Sequence, residues 1–420
     1  MMNISTQIEL NIPEPLLIAC KRLGAIAKAR NEALYLIGGV VRDSLLGVKS
    51  EDIDLVLDGD IESFSSDPQV QSLATIVRRS QFMTLKLLVE ESTIDVANAR
   101  TEVYEKPGSL PIVSAAHLSE DLKRRDFSIN ALAVSLDPLE FGLLVDELGG
   151  LLDIQNRILR GLHEKTFQDD PTRIIRAAIY KSRLGLEIDD KTASWINRDF
   201  TSIDYVSKNR IYQEIVRVLE EPYPELILEQ LDTWGVTQLL PQPFSYTPVV
   251  ANIFEALRND TLAKNDLPKF YELALRLNQN RDSKIDSTND KMNSLEKNVM
   301  LGCFQLLDEI KRDPSLKPLA SMKPSEVFNY FKSHNIESLV LVRCFVNNPV
   351  FSQITNTYIE TYSKVNINLN GTDIINLGVN PGPRIGELLL ILKSLKLDGD
   401  MKTRLEEETY VKANLTKFNQ

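Results

Sequence analysis

Asp52-Ile53-Asp54 sets two carboxylates two residues apart, shortly after Gly38-Gly39-Val40-Val41-Arg42-Asp43. In an extended strand, residues i and i+2 leave the same face, so Asp52 and Asp54 stand side by side. Carboxylates held that close repel unless a cation sits between them. Hard oxygen pairs of this kind hold Mg²⁺, whose remaining positions accept oxygens from a substrate's phosphates. Gly38 and Gly39 free the backbone to approach a phosphate, and Arg42 at the start of a helix adds charge for it. A lone Asp-x-Asp is mostly a surface or turn feature. GGVVRD, then eight residues, then DID is far more specific. Asp95, in Thr93-Ile94-Asp95-Val96-Ala97, is expected on one strand face as a third carboxylate.

Two further clusters carry charge in useful places. Arg124-Arg125-Asp126-Phe127-Ser128-Ile129-Asn130 precedes a strand. Alone it reads as a solvated face. Beside a metal–nucleotide site, one arginine clamps triphosphate oxygens while Asp126 and Asn130 reach a ribose hydroxyl. In Asp169-Asp170-Pro171-Thr172-Arg173-Ile174-Ile175-Arg176, either aspartate caps a helix with Pro171 in its first turn. Asp170 and Arg173, three apart, are neighbours on the helix surface. They form either an exposed ion pair worth at most about 1 kcal/mol or a base reader. In the second case the carboxylate accepts from an exocyclic amine and the guanidinium donates to a ring acceptor. Cytosine and adenine present that pattern; uracil and guanine do not.

The elements that must hold these groups fall into two regimes. Short β-branched runs predict strands at 33–37, 53–57, 83–89, 93–97, 131–136 and 143–146, with a helix starting at Val40. This is an α+β region with a mostly antiparallel or mixed sheet. After Gly150 strand signals vanish and apolar residues recur at helical spacing. The polar stretch 281–294 is expected as an exposed loop, and Pro381-Gly382-Pro383 opens a last apolar helix over 384–395.

Composition limits the partners. The 420 residues carry 48 Lys+Arg against 59 Asp+Glu, a net charge of -11, which excludes a strongly basic nucleic-acid binder as a whole-chain description. Between residues 157 and 217, however, 12 basic residues face 9 acidic ones. Cys20, Cys303 and Cys344 lie far apart and form no CxxC, as expected in a reducing compartment. Neither a secretory signal nor a membrane-spanning run is legible, so a soluble cytoplasmic protein is expected.

Taken together, the motifs resemble those of the class II tRNA nucleotidyltransferases, the bacterial CCA-adding enzymes and their poly(A) polymerase relatives. GGVVRD…DID resembles the first motif and RRDFSINALAV the second. DELGGLLDIQNRILR (146–160) resembles the third, DDPTR the fourth and NRIYQE (209–214) the fifth. Residues 369–404 resemble the family's tail, so the likeness runs from about residue 34 to 410. The resemblance implies a catalytic head over 1–150, a base-recognising helical neck over 151–222, a helical body over 223–345 and a tRNA-binding tail over 346–420. It implies template-independent addition of C and A to the 3′ end of tRNA from CTP and ATP, by two-metal phosphoryl transfer with Mg²⁺ and release of pyrophosphate. By position, Asp52 and Asp54 would hold metal, with Asp95 as the third catalytic carboxylate. Gly38, Gly39, Arg42, Arg125, Asp126, Asn130, Asp170, Arg173 and Arg176 would contact the nucleotide.

Three positions depart from the family pattern: Asp169 for a usual Glu, Ile179 for a usual Arg, and Asn209 for an acid. Partial enzymes that add only CC or only A, and a poly(A) polymerase, are the neighbouring readings. The 23 residues between Arg100 and Arg124 argue against CC addition, since CC-adding relatives typically lack a flexible stretch there. The C-terminal YVKANLTKFNQ, without a basic tail, argues against the polymerase. An RNA-binding protein with a decayed head is the non-enzymatic alternative; the three aspartates argue against decay.

Overall fold

The structure, a computed structural model, describes residues 2–241, 243–279, 293–314 and 316–419. They form two compact units, Met1–Tyr246 and Thr247–Gln420.

Alternation of apolar and polar residues builds the first unit's sheet. Its strands are β1 (Ala33–Ile37), β2 (Ile53–Asp58), β3 (Thr75–Ser80), β4 (Thr84–Val89) and β5 (Ser92–Asn98). The hairpin β6 (Arg100–Val103) and β7 (Ile112–Ala115) stands apart, and β8 (Ala133–Ser135) and β9 (Leu144–Val145) complete the sheet. The order is β3-β4-β5-β2-β1-β8-β9; β2 and β5 run parallel and every other neighbouring pair antiparallel. Ile53, Leu55, Leu85, Leu87, Ile94 and Val96 are buried on one face, each contributing about 1.5–3 kcal/mol of apolar burial. On the other face, Val56 and Ile37 lie under Leu118 and Leu122 of a short helix, while Asp54, Lys86 and Asp95 stay open.

All six expected strands form and the sheet is mixed. Three strands were not legible: β3, whose centre is Arg78-Arg79, and the hairpin β6–β7, whose apolar residues Val103 and Ile112 are exposed and so mark no buried face. The expectation that strands end at Gly150 is corrected. β10 (Ile158–Leu159) and β11 (Glu187–Ile188) pair in parallel, two residues each, too short to show a period.

Four helices position the site: α1 (Gly39–Leu45), α2 (Leu118–Lys123), α3 (Thr172–Leu184) and α4 (Lys208–Glu220). α3 stops at Gly185, whose φ of +61° is left-handed and suits a residue without Cβ. α4 starts where the Ser207 side chain accepts from the Arg210 N–H.

The second unit is helical among its described residues. Pro248–Asn259, Leu267–Gln279, Ser294–Arg312 and Ile336–Val346 bury apolar faces, and an Arg343–Asp260 ion pair is buried among them. Residues 281–292 of the expected polar loop lie outside the described residues; Asn293 caps the following helix, reciprocally with Glu296. The apolar helix after Pro383 runs Arg384–Leu397, and two short helices, Arg404–Ala413 and Leu415–Phe418, follow it. They close over Leu369, Ile374, Leu388, Leu392 and Val411. Here the fully buried Glu407 carboxylate accepts from the Asn368 and Leu369 backbone N–H groups and the Asn368 amide, with Lys396 Nζ at 3.3 Å. Among the described residues no helix is long and apolar enough to cross a membrane. The three cysteines are buried and unbridged.

Candidate active site

A cleft of about 570 Å³ in the first unit collects Gly38, Gly39, Arg42, Asp52, Asp54, Arg125, Asp126, Asn130, Asp170, Arg173 and Arg176, which is every nominated site residue except Asp95. Asp95 stands one strand away. Parallel pairing of β2 and β5 makes Asp54 and Asp95 register partners, so their side chains leave the same face. Asp95 is already neutralised in part: Lys86 Nζ donates to its Oδ2 at 2.6 Å.

Neither Asp52 nor Asp54 has a direct ion-pair partner among the described residues. Crowding by protein atoms and the neighbouring Asp52 charge push the Asp54 carboxyl up to about 6, against opposing pulls from Arg125 and Lys86. Both aspartates are open to the cleft. Among the described residues no cluster of three or more His, Cys, Asp or Glu is arranged to hold a metal. The donor set is therefore two hard carboxylates that repel, with substrate and water oxygens to complete the shell, which suits Mg²⁺.

The opposite wall is made of arginines held from behind by buried acids. Gly38 sits at φ +73°, with its N–H donating to Leu132 O, and an added Cβ would lie 3.1 Å from Arg125 Nη1. Only glycine fits both demands. Arg125 donates twice to Asp121 Oδ2, and Arg124 twice to Asp121 Oδ1. Burial would raise the Asp121 carboxyl, but the two guanidiniums outweigh it and hold it below the usual carboxylate range. Arg42, buried on α1, donates to Asn130 Oδ1 at 2.6 Å and to Asp43. Asn130 in turn donates to Asp126 Oδ1. Arg176 lies 2.7 Å from Asp126 Oδ2 as an ion pair, without hydrogen-bond alignment, so that buried oxygen has no donor. Asp126 and Asn130 thus link Arg42 to Arg176 while both line the cleft, where Asp126 Oδ2 has no hydrogen-bond donor.

The base-reading pair is also arranged differently from its spacing. The side chains of Asp170 and Arg173 do not pair with each other; the Arg173 backbone N–H donates to the Asp170 carbonyl. Asp170 lies two residues before the first residue of α3, accepts from Thr172 N–H and Oγ1–H, and takes two bonds from Arg210 Nη2 at 2.9 and 2.8 Å. Arg173 donates to Thr166 Oγ1 and to the Arg124 carbonyl, both at 2.8 Å. Each residue is anchored separately and both line the cleft. Ile179, one of the departures from the expected motif pattern, is buried, and Arg183, one turn on, lines the cleft.

Sequence reading missed Tyr180. Its ring lies 5.2, 5.8 and 5.7 Å from the guanidinium carbons of Arg42, Arg176 and Arg183, and its hydroxyl accepts from Arg176 Nη2. The signal was available, since Tyr180 follows Arg176 by four residues on one helix face. Glu102 and Tyr104 of the hairpin also line the cleft; Glu102 accepts from Arg100, Arg124 and Tyr104.

The family described as Poly A polymerase head domain matches residues 34–160, and that described as Probable RNA and SrmB- binding site of polymerase A matches 185–245. An A-adding tRNA nucleotidyltransferase of Geobacter sulfurreducens is 26% identical over 414 residues, 94% of this chain and 47% of that protein. A CC-adding tRNA nucleotidyltransferase of Deinococcus radiodurans is 28% identical over 384 residues, covering 91% of this chain and 89% of that one. The solved Thermotoga maritima CCA-adding enzyme complexed with tRNA_CCA shares 26% identity at a TM-score of 0.75, over 99% of each chain. This chain spans about half the length of the first curated relatives it matches.

Proposed function

We propose that the chain is a class II tRNA nucleotidyltransferase, a reading its likenesses support, and that it adds C and A to the 3′ end of tRNA from CTP and ATP, completing CCA without a template. The observation that carries this reading is one cleft with an acidic end at Asp52 and Asp54 and an arginine wall leading to Asp170 and Arg173. Arg42, Arg125 and Arg176 bind the triphosphate, each held in place by an acid or amide behind it. Asp170 and Arg173 meet the base edge, and Asp95 faces the RNA 3′-hydroxyl. Mg²⁺ held by Asp52 and Asp54 would, when bound, favour the ionised 3′-hydroxyl and neutralise the pyrophosphate leaving group. The protein's share is positioning and charge neutralisation; no protein nucleophile is required. Residues 1–150 serve as the catalytic head, 151–222 as the base-reading neck, 223–345 as a body and 346–420 as a tRNA-binding tail, in the cytoplasm.

Addition of A alone is the second reading, favoured by the A-adding relative at 26% identity over most of this chain. CC addition is disfavoured by the stretch 101–123, which is present and folded as β6–β7 and α2. One experiment separates them. Purified protein is given tRNAs ending before the first C, after CC and after CCA, with labelled CTP or ATP. Incorporation of both nucleotides supports CCA addition; label from ATP only, on the CC end only, identifies an A-adding enzyme. No incorporation on any end would refute the enzyme reading.

A further inference from the structure

The two acids opposite the arginine wall continue into a row. Asp54 on β2 is the register partner of Asp95 on β5, Asp95 of Lys86 on β4, and Lys86 of Arg78 on β3. Directly opposed residues share a sheet face, so two carboxylates and two cations run in line to the sheet edge. That face is open here: Asp54 and Arg78 are exposed, and Lys86 and Asp95 are half-buried.

A β-bulge puts Arg78 there. The register passes from Ile76–Leu87 directly to Arg78–Lys86, leaving Val77 as the extra residue. Without the bulge Val77 would oppose Lys86, and the row would end on an apolar side chain. Arg79, on the other face, is paired with Glu62 and bonded to Ser65. Arg78 has no ion-pair partner among the described residues.

The sheet order gives the row a direction. Gly38 and Gly39 follow β1, and Arg125 and Asn130 precede β8; both strands lie on one side of β2, whereas β5, β4 and β3 lie on the other. In phosphoryl transfer the attacking and leaving oxygens are roughly in line across the phosphorus. With the triphosphate on the β1 side of Asp54, the attacking strand comes from the β5 side. We infer that Arg78 and Lys86 form the track that holds the phosphodiester backbone of the RNA strand to be extended, leading its 3′ end across the open face to Asp95 and Asp54. This rests on the reading of the chain as a tRNA nucleotidyltransferase.

The test uses the full chain and two transcripts, a tRNA ending in CC and the same tRNA trimmed back to its last paired nucleotide. Binding is measured across a salt series, and KM for ATP on the CC-ended tRNA. Arg78→Ala and Lys86→Ala should each weaken binding of the CC-ended tRNA about threefold to tenfold. Each should lower the log–log salt slope by about 0.7, the value for a single-strand phosphate contact. Binding of the trimmed tRNA should not change in either variant, KM for ATP should not change in Arg78→Ala, and Arg78→Lys should restore most of the loss. Arg79→Ala, from the opposite face, should bind as wild type. Thermal melts confirm that the variants fold. An equal loss on both transcripts overturns the track. So does unchanged binding with increased aggregation, which would make Arg78 only a charged guard on an edge strand. The two readings fail separately. Wild type that extends tRNA while Arg78→Ala binds normally removes the track alone; wild type that extends nothing while the CC-dependent loss persists removes the catalytic reading alone.

Discussion

Arg210 holds both carboxylate oxygens of Asp170, at 2.9 and 2.8 Å, from a helix 40 residues further along the chain. The same arginine donates to the Gly108 carbonyl in the β6–β7 hairpin. The orientation of Asp170 is therefore set by α4 together with Thr172, and not by the side chain of Arg173. Arg210→Ala should leave Asp170 held through Oδ1 by Thr172 alone, and base discrimination should fall before activity with the correct nucleotide does. A lost charged hydrogen bond of roughly 1.5–3 kcal/mol corresponds to about tenfold to a hundredfold in the CTP:UTP or ATP:GTP ratio. Competition among all four nucleotides measures it; unchanged ratios would show Asp170 to be structural only.

Arg173→Ala tests the other half of the pair. It removes the donor for the base's ring acceptor together with the tether to Thr166 and Arg124. The expected result is a comparable loss of discrimination and a drop in thermal stability, because the Thr166 hydroxyl and Arg124 carbonyl lose their partner. A melt alongside the competition assay separates the effects: stability lost with discrimination intact would make Arg173 purely structural.

Asp52→Ala and Asp54→Asn should each abolish nucleotide addition with Mg²⁺ as the only metal while leaving tRNA affinity nearly intact. Asp54 also makes a pH prediction. Its pKa is about 6 in the fold against 3.8 for the free group, so folding favours its protonated form. The stabilisation from this group is complete below the unfolded value and is lost as pH rises through about 6. With a chelator present, the Tm of Asp54→Asn relative to wild type should climb between about pH 4 and 7 and then level off. Added Mg²⁺ should raise the wild-type Tm and not the variant's. A pH-independent difference would contradict this account of the pair.

Tyr180 supplies a ring to three guanidiniums and a hydroxyl to one. Tyr180→Phe keeps the ring and should change KM for nucleotide by less than about threefold. Tyr180→Leu loses cation–π contacts worth about 0.5–1 kcal/mol each and should raise KM about tenfold with a smaller change in kcat. Equal effects of the two substitutions would assign the role to the hydroxyl.

Glu407→Ala should destabilise the C-terminal helices of the second unit by about 1–3 kcal/mol, because the buried Leu369 N–H and the neighbouring Asn368 N–H lose their acceptor. Hydrogen exchange at Asn368 and Leu369 reads this directly; unchanged protection there would count against it.

Much of the site was legible in the sequence because its residues sit where local rules act. Asp52 and Asp54 follow from strand period, Gly38 from a turn, and Asp170 from a helix start. What was not legible is long-range. Lys86 meets Asp95, and Arg210 meets Asp170, through pairings that no local spacing encodes. Asp126 and Asn130 were read as groups that reach a ribose hydroxyl, and only the fold shows that they also link Arg42 to Arg176. β3 hid because an edge strand with one open face needs no apolar alternation.

Arg173 is tied to the preceding motif through the main-chain carbonyl of Arg124 and not through a side chain. Every amino acid offers that acceptor, so no substitution at position 124 can delete it by changing chemistry alone. Mutation at position 173 breaks the tether, whereas mutation at its partner does not. Between related sequences the two positions therefore need not vary together, and a search for co-varying pairs would pass over one of the shortest links between the two motifs.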